Sequence, residues 1–371
     1  MDQIHLVDLG AAHAEIADEV RAGFDRVLAR TAFIGGEEVA AFEREYARFG
    51  GVAHCVGVAN GTDAVELALR AAGVNAGDEV VLPANTFIAT AGATARLGAV
   101  PVLVDCLPDS YLIDPDAALA AVGAATRAVV PVHLYGQMAP AAELAAALPA
   151  HVRVVEDAAQ SQGASRNGRT PGRGGIAATS FYPGKNLGAY GDAGAVLTDD
   201  AELAATVRSL ANHGSTVKYR HDLAGFNSRL DGLQAVVLRA KLARLAGWNQ
   251  ARRDAAARYG ELLDGLAAAG RVVLPTAVEG NEHVWHLYVV RVPGADRDAV
   301  VGKLNAAGVG AGIHYPTPVH LTEAFAHLGH GRGSFPQAER AGEEILSLPL
   351  HPYLTADQQQ RVVDALAGAL G

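Results

Sequence analysis

Cysteine is almost absent: Cys55 and Cys106 are the only two in a chain of 371 residues. Two thiols build no disulfide framework, so the fold must be held by its own core, and a reducing compartment is the default. Charged residues are also few, at 19%, while half of all residues are hydrophobic, which excludes a disordered chain. Basic residues are in deficit. Thirty Lys and Arg face 40 Asp and Glu, a formal net charge of −10, so neither nucleic acid nor an anionic membrane surface is the expected partner. No apolar run is long enough to span a bilayer, and Met1-Asp2-Gln3-Ile4-His5 lacks the basic-then-apolar order of a signal peptide. A cytoplasmic globular protein is expected, long enough for two domains.

Two kinds of site are missing as well. Gly172, Gly174 and Gly175 precede a strand-like run rather than a helix, so there is no dinucleotide fingerprint, and no P-loop is present. The chain has 14 histidines, but none recurs at the spacing of a zinc protease. His283 and His286 fall in an expected strand at an odd spacing that points them to opposite faces. Glu323, His327 and His330 would share a helical face only across Gly329, which weakens such a helix. No metal is expected.

What is present is a rhythm. Short apolar runs at 79–82, 100–104, 128–132 and 152–155 alternate with helical stretches near 87–97, 115–122 and 140–148. That alternation predicts an α/β layer fold with a mainly parallel sheet flanked by helices. Ahead of it, residues 14–29 read as an amphipathic helix with Ile16, Val20, Phe24, Val27 and Leu28 on one side, and 37–49 as a second helix. Past Asp199 a helix to Leu210 gives way to a polar loop, 213–229. A long helix follows with Leu238, Leu242 and Leu245 on one face, then a further helix at 251–268. Strands are expected at 272–274, 284–292 and 309–314. A domain boundary near Gly247 is expected to separate a larger domain, 1–246, from a smaller C-terminal one, 247–371.

The chemistry concentrates in Ser180-Phe181-Tyr182-Pro183-Gly184-Lys185-Asn186-Leu187-Gly188, which follows the β-type run Ile176-Ala177-Ala178-Thr179. A loop lysine is usually just solvated. In dry or cationic surroundings it loses its proton, and the free amine attacks carbonyls. The stretch Val154-Val155-Glu156-Asp157-Ala158-Ala159-Gln160-Ser161 shifts the balance toward that second case. A buried strand ending in a carboxylate, then a hydroxyl-bearing strand and a lysine, is a layout that holds pyridoxal phosphate (PLP). The lysine forms the Schiff base and the aspartate faces the pyridine nitrogen. Asn60-Gly61-Thr62-Asp63 turns a strand-like run into a helix; taken alone it is an ordinary N-cap, but its free amides would also bind a phosphate.

On these residues the chain resembles the DegT/DnrJ/EryC1/StrS sugar-nucleotide aminotransferases, within the fold-type I PLP enzymes. The resemblance runs from Phe33-Ile34-Gly35-Gly36 to Leu348-Pro349-Leu350-His351-Pro352. It implies catalytic roles for Lys185 and Asp157. Gly61, Thr62 and Ser180 would hold the cofactor phosphate, Gln160 would lie near the ring hydroxyl, and Phe87 would stack on the ring. Asn227, in Gly225-Phe226-Asn227-Ser228-Arg229-Leu230-Asp231, would reach the phosphate from the neighbouring subunit of a homodimer with shared active sites. Arg229 would lie near the substrate diphosphate, and Tyr182, His314 and Tyr315 at the sugar. The implied reaction uses glutamate to convert PLP to pyridoxamine phosphate, then aminates a keto sugar carried on a nucleotide, in deoxyamino-sugar and antibiotic biosynthesis. Lys185 would hold the aldehyde and then shuttle the proton. Some relatives carry histidine at this position and dehydrate sugars, and Lys185 argues against that chemistry.

Residues 181–188 resemble the 3-amino and 2-amino branches more than the branch that aminates carbon 4. A dTDP-3-keto-6-deoxyhexose is the favoured acceptor. A dTDP- or UDP-4-keto sugar (hexose or pentose) and a UDP-2-keto sugar are the alternatives, and aminotransferases of cyclitols or aminobenzoate precursors share much of the pattern. A PLP-binding regulator or a catalytically silent partner subunit is the alternative of another class. Intact Asp157, Ser180, Lys185 and Asn227 disfavour it.

Overall fold

Seven strands make the central sheet: β1 His54–Val58, β2 Glu79–Pro83, β3 Val100–Val104, β4 Thr126–Val129, β5 Arg153–Asp157, β6 Ile176–Ser180 and β7 Gly194–Thr198. Their spatial order is β1-β7-β6-β5-β4-β2-β3. The pairs from β6 across to β3 are parallel. Strand β7 is antiparallel to both of its neighbours. The computed structural model describes residues 3–371; Met1 and Asp2, where the expectation about a signal peptide begins, lie outside the described residues. The α/β class and mainly parallel sheet read from the alternation are what the structure has. Val80, Val81 and Leu82 of β2 and Ala195, Val196 and Leu197 of β7 are all buried, as strands covered on both faces require.

Among the helices that frame the sheet and its surroundings are α1 Leu9–Arg30, α2 Gly36–Gly50, α3 Gly61–Ala71, α4 Ile88–Arg96 and α5 Gly232–Ala268. In α1, Ile16, Val20 and Val27 are buried, but Leu28, expected on the same side, is exposed. The N-terminus of α3 presses directly on the sheet because two glycines permit it. A Cβ on Gly194 would lie 2.5 Å from the Asn60 carbonyl oxygen, and one on Gly61 would lie 2.5 Å from Ser180 Cβ.

The two helices expected on either side of Gly247 are one continuous helix, α5, of 37 residues. Gly247 does not break it, because a solvent-facing glycine costs a helix only about 1 kcal/mol, less than its buried flanks Leu245 and Trp248 return. The first half of α5 places Ala235, Leu238, Leu242 and Leu245 in a core with Phe42, Tyr46 and Phe181. The second half places Ala255, Ala256, Tyr259 and Leu263 in a different core with Tyr288, Val290, Leu346 and Leu348. Ile4 is buried in that C-terminal core too.

Other boundaries differ from the sequence reading. The expected strand 284–292 is shorter, β8 Tyr288–Arg291, and pairs antiparallel with β9 Ile345–Leu348. The expected strands at 272–274 and 309–314 are isolated bridges, Val273 to Arg291, Ile4 to Val309 and Gly312 to Ser347. The polar loop 213–229 contains a small antiparallel pair, Ser215–Val217 with Arg220–His221. Strand β7 has no counterpart in the sequence reading. Among the described residues no helix is long and apolar enough to cross a membrane.

Candidate active site

The carboxyl ends of the parallel strands lie along one edge of the sheet, where open α/β folds bind their ligands. A cavity of about 830 Å³ sits there. Asp157 ends β5 and Ser180 ends β6, while β1 leads to Asn60, Gly61 and Thr62 and β2 to Phe87. All of these line the cavity, and so do Gln160, Tyr182, Lys185, His314 and Tyr315. Asn227 and Arg229 do not. They line a separate cavity of about 290 Å³ with Ile34, Asp231 and Gln234, and Asp192 borders both spaces.

The loop that carries Lys185 is fixed at both ends. Phe181 and Leu187 are fully buried, Lys185 N donates to Tyr182 O at 2.9 Å, and Ala189 N donates to Phe181 O at 2.8 Å. The loop turns so tightly that a Cβ on Gly188 would lie 2.2 Å from Pro183 O. Two polar side chains from α5 hold it from behind. Lys241 Nζ donates to Gly188 O at 2.7 Å, and Asn249 Oδ1 accepts from Asn186 Nδ2 at 3.0 Å. Lys185 keeps part of its surface because it faces the cavity, but protein surrounds its amine on every other side. Burial is the larger influence on its proton and lowers the pKa to about 8; the Asp157 carboxylate opposes that, more weakly. At pH 7.5 about a quarter of such amines are neutral, against about 0.1% for an ordinary lysine.

Asp157 is buried, and its carboxylate is held by two donors: Thr90 Oγ1 at 2.7 Å to Oδ2 and Ala159 N at 3.1 Å to Oδ1. No helix follows it, so it is not a helix cap. At the opposite end, Asn60 caps α3 by accepting from Asp63 N at 2.8 Å. That leaves the amides of Gly61 and Thr62, which have no carbonyl one turn back to bond. Ser180 Oγ accepts from Tyr182 N at 3.2 Å, so its own proton is free to donate.

Gln160 is oriented by Tyr135, whose backbone N donates to Gln160 Oε1 at 2.6 Å; Gln160 Nε2 then donates to Tyr315 Oη at 3.0 Å. Tyr135 sits at φ 60°, a left-handed conformation costly for a non-glycine residue, and its hydroxyl donates to His314 O. The Phe87 ring is exposed on the cavity wall, 5.3 Å from the Tyr315 ring. Burial is the main cause that raises the Tyr315 hydroxyl pKa, with the Asp157 charge adding to it. Burial, then the nearby Lys185, lowers His314 to about 4.

Several residues on or behind this wall were not singled out from the sequence: Thr90, Arg96, Tyr135 and Asp192. His286 was noticed only as a possible metal ligand. It is buried, and its Nδ1 lies 3.2 Å from Asn186 Oδ1. The Asn186 amide nitrogen already donates to Asn249 Oδ1 and Val284 O, so its oxygen accepts and Nδ1 of His286 carries the proton. Burial first, then Lys185, Arg252 and His314, push the His286 pKa well down, so the ring is neutral and offers Nε2 as an acceptor.

The groups present fit pyridoxal phosphate. A deprotonatable amine, a carboxylate held by two donors, and the uncapped amides of Gly61 and Thr62, packed so closely on Ser180 that a Cβ on Gly61 would collide with it, all border one cavity. In full-length protein freed of cofactor, the rate of Lys185 modification by an amine reagent should therefore rise with a midpoint near pH 8. Because the Asp157 charge raises that pKa, Asp157→Asn should move the midpoint below the wild-type value. A wild-type midpoint near 10, or an upward shift in the variant, would contradict this electrostatic picture.

The sequence profile of the DegT/DnrJ/EryC1/StrS aminotransferase family matches residues 14–367. A "pleiotropic regulatory protein" of Geobacillus stearothermophilus is 45% identical over 366 residues, covering 98% of both chains. The dTDP-3-amino-3,4,6-trideoxy-alpha-D-glucose transaminase of Streptomyces venezuelae is 44% identical over 366 residues, 98% of this chain and 95% of that one. The UDP-N-acetyl-3-dehydro-alpha-D-glucosamine 3-aminotransferase of Acidithiobacillus ferrooxidans is 44% identical over 369 residues, 99% of this chain and 98% of that one. The crystal structure of S. venezuelae DesV with a ketimine intermediate superposes with a TM-score of 0.95 at 43% identity, covering 100% and 99% of the two chains. A Bacillus subtilis protein with bound pyridoxamine phosphate, 33% identical, superposes with a TM-score of 0.89 over 96% of this chain and 82% of that one. The chain belongs to the DegT/DnrJ/EryC1/StrS aminotransferase family and is a fold-type I, pyridoxal-phosphate-dependent aminotransferase.

Proposed function

We propose that this enzyme transfers an amino group from glutamate to the keto carbon of a nucleotide-linked deoxy sugar, with a dTDP-3-keto-6-deoxyhexose as the favoured acceptor. The observation that carries the reading is the low-pKa amine of Lys185 facing the same cavity as Asp157 and the α3 N-terminus. The position on the sugar is supported by the relatives: the names from S. venezuelae and A. ferrooxidans both put the nitrogen or the keto group at carbon 3. They differ in carrier, dTDP in one and UDP in the other.

When bound, the cofactor supplies an aldehyde that condenses with amines and a ring that takes up electron density. In this reading Lys185 Nζ holds the aldehyde at rest. Once displaced, it is a base near neutral pH and moves one proton between the substrate carbon and the cofactor carbon. Asp157, whose carboxylate accepts from Thr90 Oγ1 and Ala159 N, holds the proton on the ring nitrogen. Gly61 N, Thr62 and the Ser180 hydroxyl bind the phosphate, Gln160 faces the ring hydroxyl, and Phe87 covers one ring face. His314, Tyr315 and Tyr182 line the space left for the sugar.

Asn227 and Arg229 border a different cavity of their own chain, so in this reading they serve the active site of a second copy. Ile34, an exposed apolar residue beside that smaller cavity, supports an interface there. The name of the G. stearothermophilus relative favours a second reading, a PLP-binding regulator. The intact Lys185 and Asp157 weigh against it.

Purified enzyme should be offered dTDP- and UDP-linked 2-, 3- and 4-keto sugars with glutamate, and the products analysed by mass spectrometry. A 3-amino sugar should form fastest from the dTDP-3-keto substrate. Preferred amination at carbon 4 or carbon 2 would sink the substrate assignment, and glutamate-independent spectra with every acceptor inert would favour the regulator. The shared site has its own test. Lys185→Ala subunits mixed with Asn227→Ala subunits should recover activity after exchange, to at most about half the wild-type level per heterodimer, because one of the two sites is then intact. Verified heterodimers with no recovery would place Asn227 outside the partner's site.

A further inference from the structure

Arg96 takes no part in that chemistry, yet it lines the main cavity beside Asn60, Gly61 and Thr62. It comes from the last turn of α4 and is half-exposed. Its guanidinium is bound by two carboxylates of α3: Nη1 is 3.0 Å from Asp63 Oδ1, and Nε is 3.1 Å from Glu66 Oε2. Glu66 has a second cation, Arg70, at 2.8 Å. Among the described residues, Arg96 is the only cation that pairs with Asp63. Both acids are buried, at 7% exposure for Asp63 and 3% for Glu66. The guanidinium carbon of Arg96 also lies 5.9 Å from the centre of the Phe226 ring, next in sequence to Asn227.

This arrangement has an electrostatic consequence at the cradle. The free amides of Gly61 and Thr62 and the helix dipole attract an anion. Asp63 follows immediately in the first turn, and an unpaired buried carboxylate there would cancel that attraction. Like charges close together at a partly buried site are poorly screened by water and repel. Arg96 removes the conflict, because the four side chains Asp63, Glu66, Arg70 and Arg96 sum to zero charge. We propose that Arg96 is a positioning residue for the cofactor phosphate: by neutralising Asp63 it keeps the N-terminus of α3 attractive to a dianion. This inference rests on the reading of Gly61, Thr62 and Ser180 as the phosphate cradle.

The test compares two ligands that share the aldehyde and the ring and differ only in the phosphate. Full-length protein freed of cofactor is titrated with pyridoxal phosphate and with pyridoxal, following the visible absorbance of the bound form. Arg96→Gln should weaken pyridoxal phosphate by at least about tenfold and pyridoxal by less than about twofold. Asp63→Asn alone should bind the phosphorylated ligand no more weakly than wild type. The double variant should return to within about threefold of wild type, since the charge that Arg96 cancels is then gone. Arg96→Lys, which keeps the charge, should retain most of the preference. Equal weakening of both ligands would reveal a merely structural role and overturn the proposal, and so would a double variant as weak as Arg96→Gln. Ser180→Ala separates the two layers. If it leaves the preference for pyridoxal phosphate unchanged, the cradle reading itself fails. If it lowers the preference and Arg96→Gln does not, only the role of Arg96 fails.

Discussion

The burial of one amine is the constraint on which the rest of the site depends. A lysine surrounded by protein loses the hydration that favours its ammonium form, and at Lys185 that loss outweighs the attraction of Asp157. The chain must then provide a rigid, enclosed loop, and it does so with local and distant parts. Gly188 lets the loop close on Pro183, Phe181 and Leu187 anchor it in the core, and Lys241 and Asn249 of α5 hold it from behind. Because α5 continues into the C-terminal core, the helix that steadies the lysine loop also carries the packing of β8 and β9.

A second requirement is that a helix end approach the sheet closely. Gly61 and Gly194 allow α3 to bring its N-terminus against Ser180, where a side chain on either glycine would collide. Close approach brings the acids of α3 along with the amides, and the ion pairs to Arg96 and Arg70 leave that end of the helix without a net negative charge. Across the cavity, Tyr135, Gln160 and Tyr315 form a hydrogen-bonded series that starts from a strained backbone at Tyr135. Strain of this kind persists only where surrounding contacts over-determine it.

Much of this was legible in the sequence because it is written locally. Strand-ending Asp157, the run from Ser180 to Gly188, and the Asn60-Gly61-Thr62-Asp63 turn each sit at the end of a strand, and the sheet order brings those ends together. The place of His286 on the cavity wall is not legible in the sequence, because 284–292 has the pattern of one strand whereas β8 begins only at Tyr288. Thr90 and Arg96 were missed because their meaning depends on partners 67 and 33 residues away. Strand β7 escaped notice because it opens on a glycine after a polar turn, and Gly247 suggested a break in a helix that tertiary packing keeps whole. Leu28 follows the amphipathic period of α1 yet faces solvent in the single chain.

The central claim is that the buried amine of Lys185 is the attachment point of the cofactor. Borohydride reduction of the holoenzyme, followed by digestion and peptide mass spectrometry, tests it directly. The account predicts a single reduced pyridoxyl adduct on the peptide containing Lys185, absent from Lys185→Ala. An adduct on Lys241 or any other lysine, with Lys185 unmodified, would contradict it.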